Sequence, residues 1–371
     1  ARESTDAGER AAAYARAAKL HDEAGRKREA FSRYALGFRL APETAEVWTR
    51  LEELGLELEC WEEFVELLKD VLARTPLPEG WRKLAFRLGQ INDRELSQYA
   101  EAEAAYRLLL NDGPDRDTLD ALIRLYSKDL RWDALVEVLG LKAKIAADGE
   151  EKRDILLELA RVVEEELHDK AGAVAAYENV LAVDPEELEA LSRLEELHAQ
   201  ANDHAKLADV LERSLVAISS IPERIKVNLR LGDLCRDNLK ENERAARAYL
   251  AALALDNANA QAIKKLEPML GEGVMVDAIF RGLEAHYLAK KKFDKLAQGY
   301  EALIAAETDP KERGLLCHKL ADLFFKHLKK PDEAYGWIMK GLALPGTTRA
   351  FLDSAFAVAK ETGKMDELRA A

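Results

Sequence analysis

Histidine and cysteine, the side chains most often used as metal ligands, are few and scattered in this chain of 371 residues. The seven histidines form no His-Glu-X-X-His motif or comparable ligand set. The two that lie nearest in sequence, His198 and His204, flank a predicted turn that has no cysteine nearby. The others are His21, His168, His286, His318 and His327. We therefore predict no metal site.

The candidates for phosphate binding and acid–base chemistry are equally weak. Gly271-Glu272-Gly273-Val274 shares glycines with a phosphate-binding loop, but the following Gly-Lys-Ser/Thr and a preceding strand are missing. Glu164 and Glu165 are neighbours on a predicted exposed helix, whereas acid–base catalysis needs carboxylates that face each other across a cleft. No nucleophile elbow or kinase motif occurs. We predict a protein that is not an enzyme and holds no cofactor.

The charge of the chain argues against nucleic acid as a partner. Its formal net charge is −14, and phosphate contacts need clustered Lys and Arg. Residues 148–196 hold 16 Asp or Glu and 5 Lys or Arg, whereas residues 281–330 hold 11 Lys or Arg and 7 acids. The acidic middle is either a solvated helix surface or a docking patch for a basic partner.

The three cysteines, Cys60, Cys235 and Cys317, show neither a disulfide framework nor a paired zinc spacing. Reduced, partly buried thiols on helices are the simplest interpretation. No signal peptide or membrane-spanning apolar run is visible, so we expect no membrane insertion. We therefore expect a cytoplasmic protein, with a periplasmic one that has free thiols as the alternative. Because the chain starts at Ala1 and ends within a predicted helix, we expect a segment of a longer protein.

Two series of small residues recur along the chain with one period. The first series is Ala18, Gly89, Ala160, Gly232 and Ala321, with steps of 71, 71, 72 and 89. The second series is Ala30, Ala102, Ala173, Ala245 and Ala334, with steps of 72, 71, 72 and 89. Because two independent landmarks share a period and an irregularity, the sequence indicates stacked repeats instead of several globular domains.

Each copy predicts a helical hairpin with a small residue in its first helix and alanine four residues before an aromatic in its second. The aromatic position holds Tyr34, Tyr106, Tyr177 and Tyr249, and the closing position holds Pro42, Pro114 and Pro185. This pattern resembles the tetratricopeptide repeat (TPR), although most turns are one residue longer than its roughly 34-residue unit allows. Ile338 and Asn257 also depart from the pattern. The resemblance covers essentially the whole chain and implies an all-α, right-handed superhelical solenoid, similar to long bacterial TPR scaffold proteins.

A second hairpin type alternates with the first. Its landmarks are Phe64, Leu135, Leu207, Leu296 and Leu368, each three residues after Trp61, Trp132, His204, Phe293 and Met365. The repeat is therefore a double unit of about 72 residues, and about ten hairpins are predicted. Both series gain 17 residues between Tyr249 and Phe293, enough for one extra helix. The apolar cluster within residues 274–280 is either the packing of that helix or a docking surface.

These landmarks divide the chain into three segments. Residues 1–257 form a regular TPR-like solenoid, 258–292 form an irregular step with the extra helix, and 293–371 continue the solenoid to an apparently truncated end.

The TPR resemblance also implies which residues meet a partner, since first helices line the groove in that family. On this basis the candidates beside the small landmarks are Gln90, Asp93, Arg161, Glu164, Asp233 and Arg236. Trp48 and Trp81 are further candidates, because tryptophan is enriched at binding hot spots and neither has an equivalent in other repeats. The alternative is that all these residues are ordinary surface or packing positions.

Three functions remain open from the sequence. The first is a non-catalytic scaffold that binds a partner protein or extended segment in the groove of a multi-protein assembly. The second is a homo-oligomeric structural protein whose solenoid ends stack into rings or filaments. The third, an RNA-processing helical repeat, is disfavoured by the acidic charge.

Overall fold

The computed structural model describes residues 6–42, 44–74, 80–345 and 348–370. Within these ranges the regular secondary structure is entirely helical, which confirms the predicted all-α class. The chain divides into two compact units, Ala1–Asp184 and Pro185–Ala371. The outer limits of the predicted first and third segments, at residues 1 and 371, lie outside the described residues, so the three-segment division stays a prediction.

Unit 1 is a succession of antiparallel helical hairpins, whose odd-numbered helices are the first helices and whose even-numbered helices are the second. These helices are α1 (Ala7–Glu23), α2 (Lys27–Leu40), α3 (Ala45–Leu58), α4 (Trp61–Leu72), α5 (Trp81–Arg94), α6 (Tyr99–Leu110), α7 (Arg116–Lys128), α8 (Trp132–Ile145), α9 (Gly149–Arg161) and α10 (Lys170–Val183). Unit 1 has two buried apolar clusters, one around Phe38 and Phe64 and one around Tyr106 and Tyr126.

Unit 2 continues with hairpins of the same kind and one additional helix. Its helices are α11 (Leu188–Gln200), α12 (His204–Ala217), α13 (Ile221–Leu234), α14 (Asn242–Leu255), α15 (Ala260–Gly271), α16 (Val276–Ala289), α17 (Phe293–Ala306), α18 (Pro310–Leu323), α19 (Pro331–Leu342), α20 (Arg349–Thr362) and α21 (Met365–Ala370). One apolar cluster runs through this unit from Leu207 to Leu368.

The hairpin turns repeat in backbone geometry as the small residues repeat in sequence. Each turn has one residue with positive φ, and in the first hairpin type these are Gly25, Ser97, His168, Lys240 and Lys329, with steps of 72, 71, 72 and 89. In the second type they are Glu59, Leu130, Asn202, Lys291 and Gly363, with steps of 71, 72, 89 and 72. The backbone therefore has the same period and the same irregularity as the sequence.

The two hairpin types close their turns differently. In the second type, a hydrogen bond reaches back five residues, as from the Arg131 amide to the Tyr126 carbonyl at 2.9 Å. In the first type, the turns at Ser97, His168, Lys240 and Lys329 have a hydrogen bond that reaches back six residues. An example is the bond from the Glu241 amide to the Cys235 carbonyl at 2.9 Å. Three of these first helices end in π-helical turns, at Val162–Glu166, Cys235–Leu239 and Phe324–Leu328. These wider turns hold the extra residue that the sequence showed.

The small-residue landmarks lie where helices of one hairpin touch most closely. Ala102, Ala160, Ala173 and Ala245 are completely buried. A Cβ atom on Gly232 would lie 2.4 Å from a ring carbon of the buried Tyr249, and one on Gly89 would lie 2.5 Å from the ring of Tyr106. The glycines therefore leave room for the tyrosine rings that pack against them, whereas the same repeat position holds Ala18 and Ala160 in other hairpins.

The extra helix lies among α15, α16 and α17. Asp233 of α13 pairs with Lys265 of α15 at 2.6 Å, which places α15 beside a first helix. Phe280 of α16 packs against Tyr300 of α17 with ring centroids 4.8 Å apart. Val276, Ile279 and Phe280 are buried, so the apolar cluster around them packs the extra helix and is not an exposed docking surface.

Candidate partner-binding surface

The six charged or amide side chains predicted to face a partner lie near the C-terminal ends of first helices. Gln90 and Asp93 are on α5, and Arg161 is the last residue of α9. Glu164 and Arg236 lie in the π-helical turns that follow α9 and α13, and Asp233 is in the last turn of α13. The wider turns thus set the direction of two of the six side chains.

Asp93 bonds a neighbouring first helix directly, whereas Gln90 bonds a residue of its own helix that does so. The Asp93 side chain is only 5% exposed, and its Oδ2 accepts a hydrogen bond from Arg124 of α7 at 2.6 Å. Gln90 accepts a bond from Arg87 at 3.2 Å, and Arg87 in turn lies 2.7 Å from Glu52 of α3. These contacts brace α5 between the first helices on either side.

Asp233 joins three helices through one carboxylate. The Tyr249 hydroxyl of α14 donates to Asp233 Oδ1 at 2.6 Å, and Lys265 of α15 contacts the same oxygen at 2.6 Å. Burial, followed by this hydrogen bond, raises the pKa of Tyr249 well above its ordinary value of 10.0. Arg236, one turn later, donates to Glu272 at the end of α15 at 2.8 Å.

Glu164 in unit 1 holds a tyrosine hydroxyl as Asp233 does in unit 2, since its Oε2 accepts a hydrogen bond from Tyr177 of α10 at 2.8 Å. Arg161, the last residue of α9, is exposed. The predicted binding role of these six residues stays a prediction, and the structure shows that five of them also have named contacts within the chain.

Ion pairs of this kind join successive first helices along unit 1 and from α11 to α15 in unit 2. We call them the first-helix ion pairs: Asp22–Arg50, Glu52–Arg87, Asp93–Arg124, Glu151–Arg116, Glu195–Arg230 and Asp233–Lys265. Hydrogen bonds from Arg50 hold the pKa of Asp22 below its usual range. Much of the charge on the first helices is therefore used to hold neighbouring hairpins together.

The two tryptophan candidates differ in their surroundings. Trp48 is half-buried, and its ring lies 5.6 Å from Phe38 and 5.5 Å from Phe64, between centroids. These contacts make it part of an aromatic cluster in unit 1. Trp81 begins α5, is half-buried, and has the Arg82 guanidinium 5.7 Å from its ring centroid.

Two clefts in the described residues of unit 2 lie between the N-terminal halves of its first helices. One, of about 310 Å³, lies between α11 and α13 and is lined by Leu188, Leu191 and Ile218. The other, of about 400 Å³, lies between α13 and the start of α15 and is lined by Ile225 and Leu229 among others. The first cleft is mainly apolar at its surface, which favours binding of apolar side chains. The second combines Ile225 and Leu229 with polar residues, among them Lys226, Asp256 and Gln261.

The sequence did not predict these clefts, because its candidate residues lie beside the small landmarks, near the C-terminal ends of the first helices. Apolar residues at the N-terminal ends of two first helices could have indicated them. Leu188 and Ile221 are the first residues of α11 and α13, where polar or acidic residues are favoured. Each is 53% exposed, and Leu188 lines the first cleft.

The structure adds little chemistry to this surface. The three thiols are buried, and burial raises their pKa above the ordinary value, which lowers their reactivity. Among the described residues, no group of three or more His, Cys, Asp or Glu could hold a metal ion. In the same residues no helix has the length and apolarity of a membrane span.

Paired antiparallel helices, glycine–tyrosine contacts within the hairpins and a backbone period near 72 residues are now established. The described residues form a repeat of helical hairpins that resembles the TPR. Searches against family models and curated proteins found no match.

Among solved structures, this TPR-like chain is similar to three helical proteins. A chain in a structure of Naa15/Naa10 bound to HypK-THB is 17% identical, with a TM-score of 0.36, over 97% of this chain and 56% of that one. The C-terminal part of a TPR repeat-containing protein from Cytophaga hutchinsonii is 16% identical, with a TM-score of 0.30, over 68% and 98%. A tetratricopeptide repeat protein from Parabacteroides merdae is 13% identical, with a TM-score of 0.30, over 70% and 98%.

Proposed function

We propose that this chain is a non-catalytic scaffold that binds an extended segment of a partner protein across the first helices of unit 2. The observation that supports this most directly is the pair of clefts on either side of the N-terminal half of α13, each of which has exposed or half-buried leucine or isoleucine in its wall. Helices that expose leucine at their first turn leave apolar surface in water, and a partner would cover it.

The spacing of the clefts indicates the shape of the partner. Neighbouring helices pack about 8–10 Å apart, so the two clefts are separated by roughly 10 Å. An extended polyproline II segment rises about 3.1 Å per residue with about three residues per turn, so two apolar side chains three residues apart lie on one face and would reach both clefts. We therefore infer an extended segment with two spaced apolar residues, of the kind that repeat scaffolds present to larger assemblies.

In this proposal the charged first-helix residues position the helices that form the clefts. Asp233 and Arg236 hold α15 beside α13, and α15 forms one wall of the second cleft. They shape the binding surface and leave its contacts to apolar side chains. This separates a framework made of ion pairs from a recognition surface made of leucine and isoleucine.

Crosslinking mass spectrometry on the native full-length protein, purified from its source, tests the proposal. Lys226 lines the second cleft and is exposed, so it should crosslink to one recurrent second protein, and Lys83 and Lys152 in unit 1 serve as comparison sites. If crosslinks joined only copies of this chain, end to end, self-assembly would replace the scaffold proposal.

A matched pair of variants then locates the surface. Leu188→Glu places a charge in the first cleft, whereas Val216→Glu places one at a 75% exposed position on the second helix α12. We expect Leu188→Glu to abolish co-purification of the crosslinked partner and Val216→Glu to leave it unchanged. Equal retention of the partner by both variants would show that the clefts are not the binding surface.

A further inference from the structure

A third groove lies on the second-helix side of unit 1, away from any first helix. It has a volume of about 570 Å³ and lies between α2 and α4. Phe31 and Leu67 at its floor are buried, and Ala35 and Leu36 are half-buried. An apolar floor of this width accommodates the stem of a long side chain.

The rim of this groove is acidic. Glu62, Glu63 and Glu66 line it from one face of α4, and the latter two side chains are 52% and 71% exposed. Glu63 pairs with Arg28 and Glu66 lies 3.2 Å from Lys69, but Glu62 has no cation within ion-pair distance among the described residues. Arg39 also lines the groove, and its guanidinium is held by Asp70 at 3.0 Å.

The equivalent groove one repeat later, between α6 and α8, is closed by the chain's own charges. Repeat spacing puts Glu103 and Arg107 at the positions of Phe31 and Ala35. Arg107 reaches Glu137 across the two helices at 3.3 Å, and Arg131 pairs with Glu103. Glu137 corresponds to Glu66, so the α2–α4 groove has the acidic acceptor without the arginine that would fill it.

We propose that the α2–α4 groove binds a segment of a partner protein that carries arginine beside an apolar residue. The partner's arginine pairs with Glu66 as Arg107 pairs with Glu137 in the next repeat. Its guanidinium meets Glu62 and Glu66 at the rim, and its aliphatic stem lies on Ala35 and Phe31. The groove belongs to unit 1, so this site does not rest on the proposed binding surface of unit 2.

The probe for this site is a fluorescein-labelled peptide containing three arginines and two leucines, and the control peptide has glutamine in place of each arginine. Fluorescence anisotropy with the full chain should show saturable, salt-sensitive binding of the arginine peptide only. Each exposed charge pair changes Kd roughly two- to fivefold. The double variant Glu62→Gln, Glu66→Gln should therefore weaken binding roughly 4- to 25-fold.

Two further variants keep the test specific. Asp133 is exposed at the position of Glu62 in the closed groove, so Asp133→Asn should leave Kd unchanged. Ala35→Arg should restore the missing cation, close the groove through Glu66 and abolish binding while the circular dichroism spectrum stays helical.

Equal affinity for both peptides, an equal loss with Asp133→Asn, or unchanged binding by Ala35→Arg would each overturn the proposal. Sedimentation velocity distinguishes the remaining occupant. If the chain self-associates and the double variant abolishes only that association, the groove binds a second copy and the partner-segment proposal is wrong.

Discussion

The contact between Gly232 and Tyr249 gives a quantitative test of how the hairpins pack. In Gly232→Ala the new Cβ atom would lie 2.4 Å from Cε1 and 2.6 Å from Cδ1 of the Tyr249 ring. That ring is completely buried, and its hydroxyl is held by Asp233 at 2.6 Å. The ring therefore has little freedom to move away from the added methyl group.

Two opposing effects determine the size of the change. Alanine in place of glycine inside a helix stabilises by about 1 kcal/mol. Overpacking a close-packed contact destabilises by about 1–3 kcal/mol. The net loss is therefore about 0–2 kcal/mol, and because the ring is fixed at both its edge and its hydroxyl, we expect a loss of about 1–2 kcal/mol.

Urea unfolding followed by circular dichroism measures this loss. The matched control is Gly336→Ala on α19, an exposed helical glycine whose added Cβ meets nothing within 4 Å. Only the helix-propensity gain applies there, so this variant should be about 1 kcal/mol more stable than the wild-type chain. Replacing Tyr249 with leucine in the Gly232→Ala background should recover part of the stability, because the smaller side chain makes room for the methyl group.

The reasoning is refuted if Gly232→Ala is stabilised as much as Gly336→Ala, because only the helix-propensity gain would then apply at both positions. That outcome would mean that the Tyr249 ring does not occupy the space against α13. A loss of equal size in both variants would instead show that the measurement reports something other than this contact.

Three more predictions concern the same framework. Leu130 is 66% exposed with φ of 54°, so Leu130→Gly should raise the urea midpoint by removing about 1 kcal/mol of backbone strain, and an unchanged midpoint would contradict this. Ala173→Phe should overpack a completely buried contact and lower the free energy of unfolding by about 1–3 kcal/mol, whereas unchanged thermal unfolding would show that the contact is loose. Burial raises the pKa of Tyr106 and Tyr126 from 10.0 to about 12. The contribution of this shift to the free energy of unfolding is therefore complete below pH 10 and is lost as pH rises toward 12. Tyrosinate absorbance that is fully developed at pH 10 would contradict this.

The sequence predicted the period of the fold because the period is carried by residue types that packing restricts. Gly89 and Gly232 leave room for the tyrosine rings beside them, and alanine occupies the same position at Ala18 and Ala160, so a small residue recurs at a fixed spacing. The turn position with positive φ could not be found in the same way. It holds Glu59, Leu130 and Lys291 as readily as Gly25, because tertiary packing on both sides imposes the backbone conformation.

The candidate surface was less predictable for a physical reason. The sequence placed Asp93 and Asp233 correctly on first helices, but their partners Arg124 and Lys265 lie 31 and 32 residues further on. Whether two such side chains meet depends on how neighbouring helices are rotated, which residue spacing does not specify. The contacts of Trp48 with Phe38 and Phe64 could not be predicted from the sequence for the same reason.

The first-helix ion pairs have a consequence for how the chain melts. Each pair joins one hairpin to the next, so it contributes to coupling between neighbours and not to the intrinsic stability of either hairpin. Salt shortens the reach of exposed charges, from about 10 Å at 0.1 M to about 3 Å at 1 M. Within each unit, rising ionic strength should therefore turn one concerted transition into piecewise melting, so the salt concentration sets how many hairpins unfold together.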